Sequence, residues 1–311
     1  MLRNTLLYLS NQPQIFRFVS RNRLARGMAR RFVAGETLEE ALATIRELNA
    51  KGITATLDLL GESVTNEREA RAARDEYLRM LDSIQERGLD ANVSLKLTAM
   101  GLDISEDLCA SIMHDVLERA QGYGTFVRID MESSDYTERT LRLFDERLYP
   151  AYKGHVGVVL QSYLYRTMAD VERANALGAR VRLCKGAYKE PASVAFQDKA
   201  DVDRNYVKCM HELMKHGNYP GLATHDPKMI DEAKRFAAAE GIAKDRFEFQ
   251  MLYGIRRDLQ EQLVREGYRM RVYIPYGTQW YPYLMRRLAE RPANLVFITG
   301  NVMREALTRR K

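Results

Sequence analysis

Residues 125–132 read TFVRIDME. Val127, Ile129 and Met131 alternate with Arg128, Asp130 and Glu132, so an extended backbone puts the apolar side chains on one face and the charged ones on the other. The stretch is one of eight of its kind. The others are 53–62, 92–98, 156–163, 180–187, 222–226, 247–253 and 270–276, each strand-like and most ending in a polar or ionisable side chain. Charge-rich helical segments separate them. An eightfold alternation of strand and helix predicts a parallel barrel wrapped in helices, in which the downstream strand ends form the site. The same two-faced pattern recurs in 92–98, where Val93, Leu95 and Leu97 oppose Ser94, Lys96 and Thr98, and in the last stretch, where Met270, Val272 and Ile274 alternate with Arg271 and Tyr273. With the apolar faces against the helices, Lys96, Arg128, Asp130, Arg182, Arg271 and Tyr273 point into the barrel. Unpaired charge there is prohibitively costly, so these groups must pair with one another or with a charged ligand.

The composition suits such a fold. At 311 residues the chain accommodates a barrel of typically ~250 residues plus an extra arm. With 46% hydrophobic and 29% charged residues it supports both a large core and a solvated surface. Cys109, Cys184 and Cys209 show no CxxC or paired spacing, which argues against a disulfide framework or a structural zinc site and fits a reducing compartment. The opening MLRNTLLYLSNQPQIF is too polar for a secretion signal, and no apolar run approaches the ~20 residues that cross a bilayer, so a cytoplasmic location is expected. The net charge of +6 is unevenly placed: Arg21, Arg23, Arg26, Arg30 and Arg31 form a basic cluster suited to a solvated helix, to anionic lipid or to nucleic acid. No nucleic-acid motif accompanies it, and no nucleic-acid partner is expected.

Residues 1–50 read as an N-terminal helical arm, with a capping box opened by Thr37 and apolar residues Leu38, Ala41, Leu42 and Ile45 at helical spacing. Residues 51–311 read as one barrel domain, because no linker or repeat interrupts the alternation. After the eighth strand, Pro282 suits the first turn of a helix over 283–290, and 293–311 reads as a further helix with a basic end.

Six motifs now stand in order: VSLKLTAMGLD around Lys96, RIDME around Asp130, VVLQSY around Gln161, VRLCKGAY over 181–188, LATHDP around His225 and YLMRRLAE over 283–290. Together, from about residue 53 to 290, they resemble the proline dehydrogenase family, in its monofunctional bacterial form. The resemblance implies a distorted (β/α)8 TIM-like barrel with a final helix over the barrel mouth. It implies FAD-dependent oxidation of L-proline to Δ1-pyrroline-5-carboxylate by hydride transfer from C5, the first step of proline degradation to glutamate, with electrons passing to a membrane quinone. It places Arg286 and Arg287 on the substrate carboxylate, with Lys96 as a second cation, and makes Leu252, Tyr273 and Tyr283 the walls around a small saturated ring. Against FAD it places Asp130, Gln161, Arg182, Lys185, Gly186, Ala187, Thr224, His225 and Glu290. Arg182 would stabilise the negative charge that gathers on flavin reduction. Asp130 and then Glu132 are the acids that would set the electrostatics of catalysis beside Lys96 and Arg182. The amine must be neutral before hydride leaves, and the residues do not name the group that takes its proton.

Two departures from the family pattern stand out. Cys184 occupies a place where valine is expected, a small-for-small change, and Lys189 stands where bifunctional members carry tryptophan. The product would reach a separate pyrroline-5-carboxylate dehydrogenase through transient contact. A quinone acceptor ranks lipid above nucleic acid as the partner of the basic arm, at the inner face of the membrane. Two competing readings remain at this point: a Schiff-base aldolase using Lys96 or Lys185, and a barrel that binds anions or docks on membranes without turnover.

Overall fold

Eight parallel strands close on themselves in sequence order, β1 pairing with both β2 and β8, in a computed structural model that describes residues 31–61 and 63–290, the side chains of 286–290 excepted. The strands are β1 Thr54–Leu59, β2 Ala91–Leu95, β3 Val127–Ile129, β4 Val156–Gln161, β5 Arg180–Cys184, β6 Gly221–Ala223, β7 Glu248–Leu252 and β8 Arg269–Tyr276. Each predicted stretch overlaps one of them, with β2, β6 and β8 beginning one residue earlier than predicted. Except for β8, the strands end earlier than the sequence pattern suggests. The Asp130 N–H still donates to the Leu95 carbonyl (2.8 Å), after which the chain leaves the sheet and enters the next helix. Lys185 to Ala187 and Thr224 to Asp226 likewise belong to loops, which lets their side chains gather over the barrel mouth instead of alternating across a sheet.

Around the strands lie α1 Leu38–Asn49, α2 Glu67–Glu86, α3 Glu106–Gly122, α4 Ser134–Leu143, α5 Thr167–Leu177, α6 Lys199–His216, α7 Pro227–Ala239, α8 Arg257–Arg265 and α9 Trp280–Glu290. The outward strand faces supply Leu57, Val93, Leu95, Ile129, Leu183 and Val272 to one continuous core shared with these helices. The capping box of α1 forms as expected: the Thr37 hydroxyl accepts from the Glu40 N–H, and the Glu40 carboxylate accepts from the Thr37 N–H (both 3.3 Å). Ala41, Leu42 and Ile45 bury α1 against β1 and β8, the slot that the helix after β8 takes in a regular barrel. A strap of residues 34–36 fixes it there. The Ala34 N–H donates to the Pro275 carbonyl, the Gly277 N–H to the Gly35 carbonyl, and the Trp280 indole N–H to the Glu36 carboxylate.

With that slot filled, α9 is left at the mouth. It begins at Trp280, earlier than the Pro282 start read from sequence. Pro282 is its third residue, still within the turn whose N–H groups have no intrahelical acceptor. The basic residues Arg21, Arg23, Arg26 and Arg30, the end of the first predicted strand at Glu62 and the helix expected over 293–311 lie outside the described residues.

The inward faces carry the charge that the alternation predicts, and most of it is paired. Near the barrel floor Arg271 donates through Nε to Glu248 (2.7 Å) and through another guanidinium nitrogen to Asn92 Oδ1 (2.9 Å), which also accepts from the Thr56 hydroxyl. Burial raises the Glu248 carboxyl, but the Arg271 charge and hydrogen bond outweigh it, so the group sits below its ordinary range. Arg128 departs from the expectation of a charged partner. Its guanidinium donates to the carbonyls of Val158 (2.9 Å) and Arg180 (2.6 Å) and lies 4.7 Å over the Phe126 ring, while burial and then the neighbouring Arg182 push its pKa well down.

The floor pair makes a direct prediction. Arg271→Met leaves Glu248 buried without its cation, and should lower unfolding free energy in urea by about 3 kcal/mol, the low end for breaking a buried pair because the Arg271 side chain keeps 17% exposure. Since the folded Glu248 titrates below its ordinary 4.5, the contribution of the pair is complete above that pH and fades as pH falls through the lower folded value. The double variant Arg271→Met/Glu248→Gln should therefore recover part of the loss and show a shallower acid decline in stability. An acid limb identical to that of the parent would contradict the assignment.

Candidate active site

The strand ends and α9 enclose a cavity of about 460 Å³, within the ~300–1,000 Å³ usual for small-molecule and cofactor pockets. At its base stands Asp130, the first residue beyond β3. Asp130 Oδ1 accepts from the Ser94 hydroxyl (2.6 Å) on β2 and from an Arg182 guanidinium nitrogen (2.7 Å) on β5, and Oδ2 accepts from the Tyr273 hydroxyl (2.8 Å) on β8. Three strands thus converge on one carboxylate at the end of a fourth. Burial and then Asp130 raise the Tyr273 phenol well above its ordinary value, so it stays a neutral donor. Arg182 also donates through Nε to Gln250 Oε1 (2.5 Å) on β7, and its guanidinium carbon lies 5.2 Å from the Tyr273 ring centroid.

A second cation enters just beyond β2. Lys96 Nζ lies 3.6 Å from Asp58 Oδ1 on β1, with the two side chains 14% and 2% exposed. Sequence reasoning missed Asp58, although the signal was present: Thr56 and Asp58 share the inner face of β1 by the same period of two.

The third cation, Lys185, follows β5 and is bridged by two carboxylates, Asp203 on α6 (2.5 Å) and Asp226 before α7 (2.9 Å). Burial pushes both acids up, but their hydrogen bonds to Lys185 prevail and both lie below the ordinary range. Asp226 also caps α7 by accepting from the Lys228 N–H (3.1 Å). Asp203 carried no local signal, because its role depends on how α6 docks on the loop after β5.

The loop after Lys185 is folded back on the loop after β4. Gly186 has φ +113°, and a Cβ there would lie 2.6 Å from the Tyr163 ring, so the position admits only glycine. Glu190, also missed, secures the arrangement by accepting from the Tyr163 hydroxyl (3.2 Å) and the Ser134 N–H (2.9 Å). His225 Nε2 accepts from the Leu252 N–H (2.9 Å), which places the proton of a neutral ring on Nδ1 and ties the end of β6 to that of β7.

The structure therefore brings most of the predicted residues together. Lys96, Leu252, Tyr273 and Tyr283 line the same cavity as Asp130, Gln161, Arg182, Lys185, Gly186, Ala187, Thr224 and His225. Glu132 is not among the lining residues. Buried at 5% exposure, its carboxylate accepts from the Thr98 hydroxyl (2.7 Å), and its backbone carbonyl accepts from the Gln161 amide (2.9 Å). Arg286, Arg287 and Glu290 belong to α9, the helix that brings Tyr283 to the cavity, and their side chains lie outside the described residues.

Comparison with known proteins agrees with this geometry. Residues 41–300 match the family described as proline dehydrogenase. Proline dehydrogenase 1 of Bacillus subtilis subsp. natto is 43% identical over 305 residues, covering 98% of this chain and 100% of its own. The proline dehydrogenase of Deinococcus radiodurans is 42% identical, with 98% of both chains covered. The bifunctional protein PutA of Escherichia coli is 29% identical over 95% of this chain, which accounts for 25% of that longer protein. Among solved structures, proline utilization A from Bdellovibrio bacteriovorus, inactivated by N-propargylglycine, superimposes with a TM-score of 0.81 at 28% identity over 89% of this chain, which spans 34% of it. On a near full-length match at over 40% identity and a shared barrel, the chain belongs to the proline dehydrogenase family.

Proposed function

We propose that this cavity is where the enzyme, whose family implies a flavin cofactor, holds FAD and oxidises L-proline to Δ1-pyrroline-5-carboxylate. The observation that carries the reading is the convergence of Ser94, Arg182 and Tyr273 on Asp130 at the base of a cavity that also presents Lys96 and Lys185. The residues suit a flavin. Gly186 lets the loop after β5 pack on the Tyr163 ring at the cavity edge, Gln161 and Thr224 offer polar contacts, and Arg182 is a cation held where its charge needs no reorganisation. Lys185, its ammonium held by Asp203 and Asp226, is assigned by the resemblance to a phosphate or ribose contact, and Ala187 and His225 line the same cavity. FAD, when bound, supplies the acceptor for the hydride from C5.

The substrate ring fits between Tyr273, Tyr283 and Leu252, whose faces offer apolar contact without demanding hydrogen bonds from carbon. Its carboxylate is assigned to Arg286 and Arg287 on α9, with Lys96 as the third cation. Asp130 already accepts from three donors, which suits it to fixing Arg182 and Tyr273 rather than to taking the amine proton. Glu132 acts by holding the end of β2 and the Gln161 amide, and Glu290 is assigned to the cofactor side of α9. Family membership removes the aldolase and the non-catalytic barrel from consideration. The electrons pass to a membrane quinone, with the basic segment around residues 21–31 against anionic lipid at the inner face and the product handed to a separate pyrroline-5-carboxylate dehydrogenase. Among the described residues no helix is long and apolar enough to cross a membrane.

Visible absorbance tests the core of the proposal. The purified protein should be yellow, and its flavin band should bleach when L-proline is added without oxygen; a colourless preparation unable to take up FAD would overturn it. Arg286→Met and Arg287→Met should each weaken apparent proline affinity roughly ten- to a hundredfold, the worth of a charge-assisted hydrogen bond. Flavin content should stay near that of the parent, and loss of FAD with unchanged proline affinity would count against the carboxylate assignment.

A further inference from the structure

Gln250 on the inner face of β7 is 4% exposed and sits between two ionised groups of opposite kind. On one side the guanidinium of Arg182 can only donate; on the other the carboxylate of Glu248 only accepts. The amide therefore has one orientation. Oε1 accepts from Arg182 Nε (2.5 Å) and Nε2 donates to Glu248 Oε1 (2.6 Å), whereas a flip would set donor against donor and acceptor against acceptor.

Glu248 does not yield to this contact, because Arg271 Nε (2.7 Å) and the Tyr219 hydroxyl (3.2 Å) hold it to the barrel floor. The neighbouring strand makes room as well. Gly221 on β6 pairs with Glu248, and a Cβ at Gly221 would lie 2.3 Å from Gln250 Nε2, so any larger residue there would displace the amide. The slot is built from three strands.

Asp130 and Ser94 anchor Arg182 through one terminal nitrogen, which leaves the guanidinium plane free to swing about that contact. A second anchor on Nε removes the freedom. It does so with a neutral amide, where a second carboxylate would cancel the positive charge.

We propose that Gln250, braced by Glu248, is a positioning residue that fixes the plane of the Arg182 guanidinium toward the flavin. The inference rests on the reading that Arg182 faces the reactive part of the flavin, and the test separates the two. The midpoint potential and content of the bound flavin are measured in the holoenzyme for Gln250→Leu, Gln250→Met, Arg182→Met and the double variant Arg182→Met/Gln250→Leu. Arg182→Met should lower the potential. Each Gln250 variant that keeps its flavin should also lower it, making reduction roughly tenfold less favourable, about 30 mV for a two-electron couple. The double variant should fall no lower than Arg182→Met, since Gln250 acts through Arg182.

If Arg182→Met leaves the potential unchanged, the underlying reading of Arg182 fails. If Arg182→Met shifts it while the Gln250 variants match the parent, or if the two shifts add in full, the role assigned to Gln250 alone is overturned. Loss of flavin in both Gln250 variants would make the residue a structural one and overturn the proposal too.

Discussion

The ion pair between Arg182 and Asp130, 2.7 Å apart with side chains 8% and 12% exposed, is the contact on which the site depends. Removing two such charges from water is expensive, and their mutual attraction offsets the cost only when the remaining hydrogen-bonding capacity is also met. Here it is met from three sides: Ser94 and Tyr273 satisfy the carboxylate, and Gln250 satisfies the guanidinium. An apolar plug of the same volume would give a barrel at least as stable. What the pair adds is a cation of fixed orientation beside a cavity, whose surroundings need not rearrange when negative charge develops there.

The floor of the barrel serves the same end at one remove. Arg271, Glu248, Asn92 and Thr56 form a connected set below Gln250, so the support of Arg182 runs through hydrogen bonds to strands on the opposite wall. Such a set is stiff because each member has its partners on different strands and none can turn without breaking a buried contact. Arg128 shows the limit of the scheme. Carbonyl dipoles and an aromatic face hold it where no ion pair forms among the described residues, and burial beside Arg182 disfavours its charged form.

Much of this was legible in the residues, because a parallel strand has a period of two and a barrel has only an inside and an outside. Val127, Ile129, Val93 and Leu95 pack outward as the alternation requires, and Arg128, Asp130, Lys96, Arg182 and Tyr273 face in. The same rule reaches Asp58, Glu248 and Gln250. Their roles went unread because an acid or amide in an apolar run shows its face but not its partner, which register with another strand decides. Asp203 and Glu190 lay further out of reach: one comes from a helix and the other from a loop, and neither docking is written in local periodicity. The chemistry itself, a flavin and an amino-acid substrate, came from the ordered motifs. No alternation of polar and apolar residues distinguishes a hydride acceptor from any other anion-bearing ligand.

The placement of α9 follows from a competition for space. In a regular barrel the helix after β8 packs beside β8 and β1, but α1 already fills that slot with Ala41, Leu42 and Ile45 and is strapped there through Ala34, Gly35 and Glu36. The chain after Tyr276 must then go elsewhere, and three residues later it begins a helix whose Tyr283 reaches the cavity. A helix excluded from the wall can place adjacent residues over the mouth, which a strand end cannot, since successive strand residues point to opposite faces. The carboxylate role proposed for Arg286 and Arg287 draws on that difference, since both lie on α9 and neither on β8. The competition for space also assigns α1 a functional consequence although it touches no ligand: its burial against the barrel wall is what makes the final helix available to close the site.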